Sequence, residues 1–200
     1  RQAPHVIYAT QVYIPGAAPA ITQGPHNTHF DNGAELLALC ESNNLSIGTV
    51  MQRREKILRP EADSEKEMTR VLNVMRQEVH DTIENPRASI GGLLFGQAQA
   101  TANTSPAIID ALMGPVQTRA VAFAMAVLER SATMGVIVAA PTAGASGVVP
   151  GSILAVAEHI HATDDQILLA LWSAAALGAI LSTNASVSGA EGGCQAEIGS

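Results

Sequence analysis

The stretch ILLALWSAAALGAILS (167–182) decides what kind of protein this is. It lies within a run from Gln166 to Ala190 that carries no charged residue. A helix built from it would be apolar on every side. Such a helix either crosses a membrane or lies at the centre of a soluble helical protein. The stretch is rich in Ala and only about as long as a short membrane span. The buried-helix reading is therefore preferred, and no membrane partner is expected. A second uncharged run, Ser131 to Ala157, is cut by Pro141, Gly144, Gly147, Pro150 and Gly151. It cannot be one continuous helix.

Composition points the same way. Hydrophobic residues make up 47% of the 200 residues but aromatics only 3%. The core must be built from Ala, Leu, Ile, Val and Met, which suits closely packed helices better than a β-sandwich. The expected fold is all-α, a bundle of Ala/Gly-rich helices, with a short β segment near the N-terminus. The net charge is −7, with 11 basic residues and no Lys/Arg stripe, so no nucleic-acid partner is expected. Cys40 and Cys194, the only cysteines, form neither a disulfide framework nor a CxxC pattern. A reducing, cytoplasmic setting fits that usage. The opening RQAPHVIYAT lacks the apolar core of a signal peptide.

Along the chain, HVIYATQVYI (5–14) alternates loosely and reads as a strand. The Pro/Gly-rich PGAAPAITQGPHNTHFDNG (15–33) reads as a connector. Residues 1–29 are expected to be the tail of an upstream β domain with its linker, and 30–200 a helical domain. Asp31 or Asn32 can cap a first helix whose apolar side holds Leu36, Leu37, Leu39 and Cys40. A second helix is expected over Ser46–Leu58. Ser64-Glu65-Lys66-Glu67 reads as a capping box that opens a charged helix. Its apolar positions are Met68, Val71, Leu72, Met75, Val79 and Ile83. Ser105-Pro106 starts another, running to about Met134 with a break at Gly114-Pro115. PTAGASGVVPG (141–151) is a glycine loop before a helix over Ser152–His161. Thr163-Asp164-Asp165-Gln166 caps the apolar helix, which carries Trp172 and ends near Ser182.

Four features are candidates for chemistry. The loop 141–151 can aim several N–H groups at an anion beside a helix N-terminus. It is no Walker loop, because no Lys follows its glycines, and a tight turn between helices would explain it equally well. Cys194, within GAEGGCQAEIGS (189–200), could ligate a metal, act as a nucleophile or do nothing. No base is identifiable beside it. Cys40 reads as a packed free thiol. The six histidines are scattered, without an HExxH or a similarly spaced pair.

Taken together, AELLALCESNNLSIGTVM (34–51), PTAGASGVVPG (141–151) and SVSGAEGGCQAEIGS (186–200) resemble the iron–sulfur-dependent L-serine dehydratases, in their catalytic α region. The resemblance runs from about residue 30 onward and implies an enzyme that deaminates L-serine to pyruvate and ammonia. It implies a 4Fe-4S cluster used as a Lewis acid, with Cys194 matching one of three thiolate ligands. The family's other two cysteines lie further downstream, and Cys40 matches neither. The family's base belongs to an upstream Ser-x-His-Thr stretch that this sequence lacks, so no catalytic base is assigned. The chain is thus expected to be an excised piece of the enzyme, by itself inactive and without a cluster.

Residue types suggest Thr142, Ala143, Gly144, Ser146 and Ser188 as contacts to the substrate. Glu191 would orient its ammonium. The expected partners are L-serine, a β domain or β subunit of the same enzyme, and further copies in a homo-oligomer. The competing reading is a non-catalytic helical binding or structural domain, with the 141–151 loop as a packing turn.

Overall fold

The computed structural model describes residues 28–186, 189–192 and 196. Among them the chain forms helices α1 (Gly33–Asn43), α2 (Ile47–Leu58), α3 (Ser64–Glu84), α4 (Gln97–Ala102), α5 (Pro106–Leu112), α6 (Pro115–Ala132), α7 (Val148–Ile160), α8 (Asp164–Asn184) and α9 (Gly189–Gly192). No strand occurs among the described residues, in keeping with the helical expectation. The strand expected over 5–14 lies outside them.

α8 is apolar on most sides because it serves two cores. Ile167 and Leu171 join Leu72, Met75 and Val79 of α3, Phe123 and Val127 of α6, and Leu154 of α7 in the first core. Trp172, Ala176 and Ala179 face the second, with Phe30, Leu36 of α1, and Val50 and Met51 of α2. Trp172 is enclosed, at 3% exposure. Placement between two cores of one chain accounts for the missing charges. The burial is not complete, for Leu177 and Leu181 near the C-terminal end are exposed. The α2–α8 contact needs Gly48, where a Cβ would stand 2.5 Å from the carbonyl oxygen of Leu169.

Several helix ends follow the sequence signals. Asn32 accepts the Glu35 N–H at the start of α1. Thr163 and Gln166 form a reciprocal capping box on α8. Gly114, with φ 79°, turns the chain between α5 and α6. Other ends differ. α3 is capped by Asp63, whose side chain accepts the Lys66 N–H, so Ser64 is its first helical residue. Glu67 is drawn instead to Arg59, at 2.9 Å, and closes no capping box. Ser105 makes no side-chain cap, and α6 ends at Ala132, short of Met134. α7 starts at Val148, four residues before the expected Ser152. Pro150 falls in its first turn, where a missing N–H costs nothing. α8 continues past Ser182 to Asn184, whose side chain donates to the carbonyl of Asp31 at 2.6 Å. Leu37, expected on the apolar side of α1, is 55% exposed.

Candidate active site

The loop 141–147 is held down at its end and open at its tip. Ala145, Ser146 and Gly147 are buried, while Ala143 and Gly144 are exposed. Burial on this scale is possible because α7 and α6 meet through glycines. A Cβ at Gly147 would stand 2.7 Å from the carbonyl oxygen of Ala124, and one at Gly151 2.9 Å from that of Ala120. Thr142 Oγ1 accepts the Ala145 N–H at 3.2 Å, closing a side-chain turn. Ser146 Oγ donates to the Ala143 carbonyl at 2.7 Å. Its proton is therefore spent inside the loop. Among the described residues no hydrogen bond uses the N–H of Ala143 or Gly144. The tip thus offers two main-chain donors close to the positive end of the 13-residue α7. That arrangement can receive a carboxylate or a similar small anion.

The loop reaches its place through the segment 136–140, in which Ile137, Val138 and Ala140 pack on the first core. The Val138 N–H donates to Glu78 Oε2, 3.0 Å away. Burial pushes the Glu78 carboxyl up to about 8, against the opposing pull of the Val138 N–H and of Arg130. Glu55 of α2 is likewise pushed up to about 7 by burial, opposed by its ion pair with Arg59. Neither acid was singled out from the sequence, although their register could have shown them. Glu78 follows Met75 by one helical step on the face of α3 that carries Leu72 and Val79. Glu55 follows Met51 in the same way on α2.

The remaining candidates are spread out. Glu191, exposed on α9, accepts from Ser186 Oγ at 2.7 Å. No hydrogen bond or ion pair among the described residues joins it to the loop. Ser188 and Cys194 lie outside the described residues. Cys40 is half-buried on α1 and packs beside the second core, whereas Ala140 and Val149, which flank the loop, pack on the first. His29 pairs with Asp31, and His80 with Glu158. Among the described residues no group of three or more His, Cys, Asp or Glu could hold a metal ion.

Comparison with known proteins bears on the same segments. The family model described as serine dehydratase alpha chain matches residues 42–200, which include both the loop and Cys194. The protein called "Probable L-serine dehydratase, alpha chain" in Bacillus subtilis (strain 168) is 38% identical over 176 residues, covering 86% of this chain and 57% of that one. The L-serine dehydratase of Streptomyces coelicolor is 34% identical over 176 residues, covering 86% and 38%. The L-serine dehydratase TdcG of Escherichia coli (strain K12) is 35% identical over 180 residues, covering 85% and 38%. The chain therefore spans between about two fifths and three fifths of the length of these relatives.

Proposed function

The chain belongs to the serine dehydratase alpha chain family, and on that footing we propose that it is part of an enzyme that deaminates L-serine to pyruvate and ammonia. The observation that carries this reading is the match over residues 42–200, because it spans the donor loop and Cys194 together. The greater length of the relatives supports a longer assembly, with a β domain or β subunit as partner.

The reaction must remove a weakly acidic α-proton and a poor leaving group from serine. Water leaves, and the enamine that results tautomerises and hydrolyses to pyruvate and ammonia. Rate then depends on holding the substrate in one geometry. In our reading the N–H groups of Ala143 and Gly144 take the carboxylate, and the Thr142 hydroxyl sits at the same edge. Ser146 acts from beneath, by fixing the Ala143 carbonyl. Ser188 is proposed as a further substrate contact by residue type. Glu191 offers a carboxylate to the substrate ammonium.

A 4Fe-4S cluster with one iron free of protein ligands would supply Lewis acidity toward the leaving hydroxyl. The residues of this chain do not make such a site alone. Its two cysteines are too few, and Cys40 is held beside the second core. Cys194 is proposed as one ligand, with the other thiolates supplied from beyond these 200 residues. The test is pyruvate formation from L-serine by the full-length enzyme after anaerobic loading with iron and sulfide. Pyruvate should form in proportion to bound iron. An iron-loaded enzyme that leaves serine untouched would overturn the reading.

A further inference from the structure

Glu78 is a buried carboxyl that takes no part in the chemistry above. It is 1% exposed, on the face of α3 that fills the first core beside Met75 and Val79. A carboxyl placed there costs stability unless its oxygens are satisfied. Only one of them is. Oε2 accepts the Val138 N–H at 3.0 Å, and Oε1 has no partner among the described residues. The charge facing it from α6 is Arg130, whose Nη1 is given to Asp81 at 2.7 Å and whose buried Nε has no partner among the described residues. The nearby Glu129 is turned to the Ala98 N–H. The segment 136–140 contributes no charge. Arg130 is thus occupied elsewhere, and among the described residues the one hydrogen bond the Glu78 carboxyl makes is to the main chain of Val138.

That bond sits at an informative place. Val138 lies in the non-helical segment that delivers the loop 141–147. Its neighbours hold to the core by apolar contact, which is non-directional and fixes no register. A hydrogen bond to one N–H does fix it. Among the described residues Glu78 is the only side chain that hydrogen-bonds the segment 136–140. We propose that Glu78 is a positioning residue for the loop: through Val138 it sets the register at which the Ala143 and Gly144 donors meet the substrate carboxylate. The proposal rests on the assignment of that loop to the substrate.

The test uses the full-length holoenzyme and three variants. Glu78→Gln keeps an acceptor for Val138, Glu78→Leu removes it with an apolar side chain, and Val138→Pro removes the donor in a segment outside any helix. Glu78→Gln should hold KM for serine within about twofold, whereas Glu78→Leu and Val138→Pro should each raise it about tenfold, as loss of one hydrogen bond implies, with kcat changed much less. Amide exchange over 139–147 should quicken in Glu78→Leu and in Val138→Pro, and stay unchanged in Glu78→Gln. Unchanged exchange in both acceptor- and donor-deletion variants would overturn the proposal. So would a Glu78→Gln variant as impaired as Glu78→Leu. Faster exchange with an unchanged KM would instead overturn the assignment of the loop to the substrate.

Discussion

Gly147 rests directly on the backbone of Ala124: a Cβ added to the glycine would stand 2.7 Å from the alanine carbonyl oxygen. Real Cβ atoms do not come so close, and the obstacle is main chain, which cannot swing aside. Gly147→Ala should push α7 off α6 and carry the loop tip with it. A cost of about 1–3 kcal/mol is expected in urea unfolding, as for other overpacked sites. Gly178 of α8 is the control, because a Cβ there meets nothing within 4 Å. Gly178→Ala should be neutral or should stabilise by up to about 1 kcal/mol through helix propensity. Equal effects of the two substitutions would mean that the α6–α7 contact is not close-packed.

Trp172 tests the place of α8. It is enclosed by the second core, beside Phe30, Val50 and Met51. Trp172→Ala should cost about 3–5 kcal/mol, the range for emptying a large aromatic site. A loss below about 1 kcal/mol would put the residue at the surface. The same substitution should expose apolar groups of α1 and α2, read as increased binding of a hydrophobic dye.

Stability should fall as pH rises from about 4.5 to about 8. Glu55 and Glu78 have folded-state values of about 7 and about 8, raised from an ordinary 4.5 by burial. A carboxyl raised on folding binds its proton more tightly in the native state. Its stabilising contribution is complete below the unfolded value and is lost as pH climbs through the folded one. Glu78→Gln removes that titration and should flatten the decline, leaving the variant more stable than wild type at pH 8.5. Melting curves across this range decide the matter. A decline of the same depth in Glu78→Gln would show that Glu78 ionises freely where it lies.

The helical fold was legible because its signals are local. The absence of charge over 167–182 marked the helix shared by two cores, and Thr163-Asp164-Asp165-Gln166 marked its start. Where the reading slipped, two permissible structures shared one signal. Pro150-Gly151 looks like a helix breaker, yet both residues fit the first turn of α7. Asp63 and Ser64 can each cap α3, and the pull of Arg59 on Glu67 left the cap to Asp63. In the site, the loop could be found from its composition, but the hydrogen bond that ties down Ser146 could not. Glu78 gives no such signal, because a glutamate in a charged helix is ordinarily solvated. Only its step from Met75 carried the information that it points inward.

The two cysteines separate the enzyme reading from a purely structural one. Cys40 packs beside the second core on α1 and is not assigned to iron. Cys40→Ser should cost only packing, about 1 kcal/mol, and should leave iron and activity in place. Cys194 is proposed as a thiolate ligand, and a hydroxyl is a far poorer partner for a soft iron–sulfur site.

Iron content per chain of the full-length enzyme, measured after anaerobic reconstitution of Cys194→Ser and Cys40→Ser side by side, is the most direct test. The Cys40 variant should match wild type, and the Cys194 variant should fold but hold no stable cluster. Wild-type iron in Cys194→Ser, or equal loss in the two, would contradict the assignment of Cys194 to the cluster.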